Sequence, residues 1–322
     1  MTPTVHVLPF EQHLVELENK ITELRALSES SFLDLSAEIE TLTQKLNASR
    51  CETYQCLTPW QVTQIARHPQ RPRTLSYLER LFHDFVELHG GRQFPDDNAI
   101  VCGLATFHGE PVVVVGHQKG KDTEDNIYRN FGMPHPEGYR KALRVMKLAN
   151  KFGRPIITFV DTPGAYPGLE AEERGQAEAI ARNCLEMSFF QVPVVVVIVG
   201  EGGSGGAVAL GVGDAVIMLE YAIYSVISPE GCASILWKDA SRAEDAATAL
   251  KLTSQDLLKF GVIDEVVTEP VGGAHRDFET TAQNIEKAIA KYLALLKPMS
   301  VEELQQRRQA KYRQMGIYTD QK

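Results

Sequence analysis

Val194-Val195-Val196-Val197-Ile198-Val199-Gly200-Glu201-Gly202-Gly203-Ser204-Gly205-Gly206-Ala207 is the stretch whose reading decides the fold. An unbroken β-branched run reads as a strand covered on both faces, the signature of a parallel sheet rather than a half-solvated antiparallel one. The glycines after it let the backbone approach a ligand closely, and the apolar segment beyond Ala207 can start a helix. The same texture recurs on both sides of this stretch. Residues 99–107 and 111–116 read as a strand pair joined at His108-Gly109, 155–160 as a buried strand, and 215–219 and 222–227 as two more. Helices are expected over 137–151 and 170–187. Such alternation gives an α/β core with buried parallel strands.

The ends of the chain differ from this core. Phe10, Leu14, Leu17, Ile21, Leu24 and Leu27 recur at spacings of four and three, an apolar helical stripe. Ile39, Leu42 and Leu46 resume it after a break expected at Ser28, Ser30 and Ser31, so two helices folded as a hairpin are predicted. Arg67-His68-Pro69-Gln70-Arg71-Pro72-Arg73 reads as a linker or ordered loop with solvated charges, followed by a helix over 75–88. The tail returns to helix over 282–296 and 301–315, broken by Pro298.

Composition narrows the class further. With 33 Lys+Arg against 42 Asp+Glu, the formal net charge of −9 argues against a dedicated nucleic-acid binder. No apolar stretch approaches the length of a membrane span, and no charged-then-apolar leader opens the sequence. Five scattered cysteines read as reduced thiols, and a cytoplasmic location is expected.

The glycine loop admits several chemistries. Gly200, Gly202 and Gly205 make a Gly-x-Gly-x-x-Gly fingerprint, with Glu220 where a dinucleotide ribose would want an acid. Gly202, Ser204 and Gly206 make a Gly-x-Ser-x-Gly elbow, and Asp264 and His275 follow in hydrolase order. A phosphate loop fits worst, because Gly206 and Ala207 stand where Lys and Ser/Thr are needed. A fourth reading needs no side chain: successive backbone amides at a strand–helix turn form an oxyanion hole.

Two further segments break the tie. Asp161-Thr162-Pro163-Gly164-Ala165-Tyr166-Pro167-Gly168 follows one buried strand, and Ser225-Val226-Ile227-Ser228-Pro229-Glu230-Gly231-Cys232-Ala233-Ser234-Ile235-Leu236-Trp237 lies downstream. With His117-Gln118-Lys119-Gly120 and Arg129-Asn130-Phe131-Gly132-Met133-Pro134, they closely resemble the α subunits of bacterial-type acetyl-CoA carboxylase carboxyltransferase. The resemblance runs from the N-terminal helices to about Met315 and is weaker around Cys51–Cys56 and 278–291. It implies a crotonase (ClpP)-like spiral of ββα units with an N-terminal helical arm and C-terminal helices. The corresponding division is 1–92 for the arm and linker, 93–297 for the core, and 298–322 for the last helix and tail.

The activity implied is transfer of a carboxyl group from carboxybiotin, held on a biotin carboxyl carrier protein, to acetyl-CoA. The product is malonyl-CoA for fatty acid synthesis. The implied partners are a carboxyltransferase β subunit in an α2β2 assembly and biotin carboxylase in the larger complex; the family's ATP-binding designation comes with them. In this family β carries the acetyl-CoA side and a four-cysteine zinc site, and no metal is expected in this chain, whose Cys51-x4-Cys56 has no second pair.

By resemblance, the amides of Gly205, Gly206 and Ala207 hold the biotin ureido oxygen. Asp161 to Pro167 form the facing wall, with Thr162, Pro163, Gly164, Ala165 and Tyr166 its biotin-binding residues, and Gly202, Gly203 and Ser204 complete the biotin side. No side-chain base is demanded. Lys119, Lys121 and Arg129 are expected as ordinary solvated charges, Glu220 as a strand-end acid, Ser204 as a turn residue and His275 as a loop residue. The remaining alternatives are a serine hydrolase on Ser204, Asp264 and His275, a nucleotide-binding module on Glu220, and a scaffold assembled through the helical arm.

Overall fold

The β-branched runs form the centre of an eight-stranded sheet, counted among residues 6–31, 34–91 and 94–316, the part of the chain that the computed structural model describes. The strands are β1 (His83–Glu87), β2 (Ile100–Phe107), β3 (Glu110–His117), β4 (Ile156–Thr162), β5 (Val194–Gly203), β6 (Ala215–Leu219), β7 (Ile223–Ser225) and β8 (Glu265–Val267). Their order is β1-β2-β3-β4-β5-β6-β8, with β7 paired separately to β5. β2 runs antiparallel to both β1 and β3, and from β3 to β8 every neighbour is parallel. All of β4 is buried and so is β5 up to Gly202, which explains why neither alternates apolar with polar residues. β2 and β3 followed by the helix Pro136–Lys151 make one ββα unit; β6 and β7 followed by the helix Pro229–Trp237 make another.

β5 divides between two partners. Val195 to Ile198 pair with β6, whereas Glu201 to Gly203 pair with β7. The pairing of β4 with β5 also slips between Val160 and Thr162. The sheet therefore forks at Asp161 and Gly200, at the mouth of the glycine loop.

The arm is the predicted hairpin, with helices Gln12–Ser31 and Ser36–Gln55. Arg50 Nη2 bonds Glu18 at 2.5 Å and His13 meets Thr53 at 3.1 Å, which fixes their antiparallel register. Leu14, Ile21, Leu46 and Tyr54 join Ile65 and Tyr221 in one apolar cluster. Buried Glu11 accepts the Tyr54 hydroxyl at 2.6 Å. The expected break at Ser28–Ser31 comes later. The helix runs on to Ser31, because Ser30 returns its hydroxyl to the Leu27 carbonyl at 3.2 Å instead of disrupting the turn.

Two predicted helices are corrected. The helix expected over 75–88 is Thr74–Leu81 followed by strand β1, because the residues after Leu81 pair with β2 although their apolar spacing would continue a helix, and Asp84 takes a positive φ of 53°. The helix expected over 170–187 is broken into Leu169–Glu173 and Gln176–Ser188 by Gly175, whose φ is 84°. The division at 92/93 falls outside the described residues, while β1, which precedes it, already belongs to the sheet. The C-terminal helix Val301–Gln314 is pinned to the core. Its buried Arg308 pairs with Asp214 at 2.6 Å and donates to the carbonyls of Met187, Phe190 and Val192. Among the described residues no helix is long and apolar enough to cross a membrane.

Candidate active site

The fork places two loops face to face. One follows β4 and carries Thr162 to Tyr166; the other follows β5 and opens the short helix Ser204–Val208. Gly206 packs so closely on the first loop that a Cβ there would lie 2.6 Å from the Gly164 carbonyl carbon and 2.7 Å from the Ala165 nitrogen. Because the helix starts at Ser204 with Gly203 as its N-cap, the N–H groups of Gly205 and Gly206 have no intrahelical acceptor, whereas the expected third donor, Ala207, stands one turn on from the Gly203 carbonyl, which takes its N–H into the helix. Five residues make a negligible macrodipole, so these amides, not a helix dipole, are what the turn offers an anion. Gly206 and Ala207 are buried and Gly205 is half-buried, and water competes little for their donors.

The facing wall is rigidly braced. Thr162 Oγ lies 2.6 Å from Gly132 O and 2.8 Å from Gly164 O, the two carbonyls that share its single proton, and it accepts from the Gly164 amide at 3.1 Å. Tyr166 donates its backbone amide to Pro134 O and stacks on His135 with ring centroids 4.0 Å apart. Gln176 Nε2 ties the same segment by donating to Pro134 O and Tyr166 O. Pro163 is exposed and Ala165 half-buried.

Beneath both loops runs a chain of charges. Lys119 Nζ lies 2.7 Å from Asp161 Oδ1 and 2.7 Å from Glu201 Oε2. Arg67 reaches the other Glu201 oxygen at 2.6 Å and Glu230 at 2.5 Å. Asp161 Oδ1 also accepts the Glu201 amide at 3.0 Å, taking over from the ladder where the β4–β5 register slips. Burial would raise the Glu201 carboxyl, but Lys119 and Arg67 outweigh it and hold the group down at about 2. Burial opposes the Lys119 ammonium as well, and Asp161 and Glu201 overcome it, leaving lysine above its ordinary value. Beside this chain, burial pushes the His117 imidazole down to about 3, so it is neutral near pH 7.

Several expectations need correction here. Lys119 is an enclosed ion-pair partner, not a solvated charge. The basic loop is not solvated either: Arg71 is buried and forks onto Glu269 at 2.6 and 2.9 Å. Arg129 is half-buried, bonded to Asn98 O at 3.0 Å and near Asp125, while Lys121 is exposed. Arg67, Glu201 and Glu230 were not singled out for chemistry by sequence.

The rival constellations do not assemble. Asp264 Oδ2 is engaged by the Val216 amide and by Lys311, and His275 stacks on His68 at 3.8 Å with both ring nitrogens unbonded. Neither the acid–base nor the base–nucleophile bond of a triad exists. Glu220 accepts the Glu269 amide at 3.1 Å, which occupies the acid meant for a ribose. Ser204 sits at a positive φ of 51° as a turn residue. Ser204→Ala is therefore expected to retain most carboxyl transfer when assayed with biocytin and malonyl-CoA; loss of turnover would restore the nucleophile reading.

A family model described as "Acetyl co-enzyme A carboxylase carboxyltransferase-like" matches residues 7–316. The acetyl-coenzyme A carboxylase carboxyl transferase subunit alpha of Geobacter metallireducens is 58% identical over 313 residues, covering 97% of this chain and 98% of that one. This chain belongs to the acetyl-CoA carboxylase carboxyltransferase α-subunit family. The protein of the same name from Listeria monocytogenes serotype 4b is 56% identical over 311 residues, with 97% and 98% covered. As an α subunit, the chain is one component of a carboxyltransferase that includes a β partner.

Solved structures share the fold of this chain. Transcarboxylase 12S superposes with a TM-score of 0.55 at 21% identity over 70% of this chain and 42% of that one. The β subunit of Pseudomonas aeruginosa geranyl-CoA carboxylase gives 0.55 at 15% identity, over 76% and 46%. The expected crotonase-like architecture is the one found.

Proposed function

We propose that this α subunit supplies the biotin-facing half of a divided active site. The reaction moves a carboxyl group from carboxybiotin on a biotin carboxyl carrier protein to acetyl-CoA, forming malonyl-CoA for fatty acid synthesis. The observation that carries the reading is the contact of Gly206 with the Gly164–Ala165 peptide, beside amides with no intrahelical acceptor. When bound, carboxybiotin supplies an activated carboxyl group on a ureido nitrogen. The free amides of Gly205 and Gly206, with Ala207 behind them at the close of the turn, donate to its ureido oxygen, which gains negative charge as the carboxyl leaves. One such preorganised donor is worth about 3 kcal/mol of barrier. Gly202, Gly203 and Ser204 shape the biotin side, Thr162 to Ala165 form the opposing wall, and Tyr166, steadied by His135, borders it.

Acetyl-CoA binds chiefly to the β subunit in an α2β2 tetramer, and biotin carboxylase reloads the carrier. Reconstitution tests the division of labour. The isolated chain is expected to show no transfer between malonyl-CoA and biocytin, and activity is expected to appear when purified β subunit is added. Full activity of the isolated chain would overturn the reading.

A further inference from the structure

Three parallel strands end side by side at the fork, and each contributes one charge to its floor. Lys119 lies just past the end of β3, Asp161 near the end of β4, and Glu201 near the end of β5. Asp161 and Glu201 are nearly inaccessible, and the Lys119 side chain is only 15% exposed. The region has no slack. A Cβ on Gly200 would lie 2.8 Å from the Asp161 Cγ, and a Cβ on Gly132 would strike the Lys119 side chain 2.5 Å from its Cγ. Two carboxylates this close repel strongly in a poorly solvated site unless a cation stands between them.

We propose that Lys119 is a positioning residue for carboxyl transfer: its ammonium, clamped between Asp161 and Glu201, sets the spacing of the β4 and β5 ends and thereby the contact of the Gly203–Ala207 turn with the Thr162–Tyr166 loop. Lys119 itself touches no substrate in this scheme. Asp161 links it directly to the turn by accepting the Glu201 amide, so a shift of the Asp161 carboxylate moves the start of the donor loop. Arg67 holds only Glu201 Oε1, the oxygen that Lys119 does not bind, and its second partner, Glu230, brings another negative charge. Without Lys119 the cluster of Asp161, Glu201, Glu230 and Arg67 keeps one cation for three anions. Misplacement of donors by a fraction of a bond length is enough to lower turnover without weakening ground-state binding.

The inference rests on the functional reading above, and its test has an arm that does not. The variants are Lys119→Met and Lys119→Met/Asp161→Asn; the second restores the charge balance and keeps an oxygen for the Glu201 amide. In amide hydrogen exchange of the isolated chain, Lys119→Met is expected to speed exchange over residues 162–166 and 203–208 by at least about tenfold. Exchange in β2 and β3 should stay unchanged, and the double variant should return toward wild type. In the reconstituted enzyme, kcat is expected to fall at least about tenfold with KM for malonyl-CoA unchanged, again with recovery in the double variant. Wild-type exchange in both loops of Lys119→Met, or acceleration spread evenly through the sheet, overturns the proposal. Inactivity of the reconstituted wild type would strike the functional reading alone, and the exchange arm would still decide the role of Lys119.

Discussion

Gly206→Val is expected to abolish carboxyl transfer in the reconstituted enzyme. The new Cβ alone would sit 2.6–2.7 Å from the peptide joining Gly164 to Ala165, and valine adds two methyl groups beyond it. Backbone cannot retreat as a flexible side chain does, so either the turn or the facing loop must move. Both outcomes displace the amides of Gly205, Gly206 and Ala207. Loss of one preorganised oxyanion donor lowers kcat by about 100- to 1,000-fold, and disturbing more than one together sets the lower bound at that range. Steady-state kinetics with biocytin and malonyl-CoA checks it, with circular dichroism to confirm a folded sheet. Wild-type turnover would remove the glycine loop from the chemistry. Gly205→Ala is the informative control, since its Cβ would meet only the Ile180 side chain at 3.4 Å.

The second large effect concerns stability. Arg71→Met is expected to destabilise the chain by about 3–5 kcal/mol, because it strands a buried carboxylate. Arg71 forks onto both Glu269 oxygens and donates its Nε–H to the Val199 carbonyl at 2.8 Å, where β5 passes from one pairing partner to the other. Glu269 in turn accepts the amides of Tyr221 and Ala274 at 2.9 and 2.7 Å. One ion pair thus joins the basic loop, the end of β5 and the segment after β8. Urea unfolding of Arg71→Met, Glu269→Gln and the double variant measures the coupling. The double variant should cost clearly less than the sum of the singles. Additive losses would mean that the two charges do not stabilise each other.

Much of the site was legible in the sequence because it is made of backbone. A turn that needs bare peptide must be written in glycine, and Gly200 to Gly206 follow a β-branched run that is visible without a structure. The facing loop was legible for the same reason: Pro163, Gly164 and Ala165 are residues of a tight, uncrowded bend. The ion-pair floor was not legible. Arg67, Glu201 and Glu230 lie far apart in the chain, and Lys119 looked like any surface lysine. The signal that would have found them is strand order. Once β3, β4 and β5 are known to be parallel neighbours, Lys119, Asp161 and Glu201 fall together at their carboxyl ends. The false triad failed for the converse reason: Ser204, Asp264 and His275 had the right order, but order along the chain sets no distance between side chains.

Local rules also lost where tertiary pairing won. Leu75, Leu78 and Leu81 promised a helix that would continue, yet the next residues gain more as an edge strand against β2. By itself the sequence determined the buried parallel strands, the helical hairpin and the glycine turn, since each is fixed by local periodicity or by residue types that only one backbone geometry admits; the family was legible only through the resemblance of whole blocks of residues to known α subunits. Only the tertiary structure decided the fork of β5 between β6 and β7, the burial of Arg71 and Arg308, and the clamp of Lys119 between two carboxylates. Those features depend on which strands become neighbours, and the free energy of a buried charge is set by what surrounds it in space.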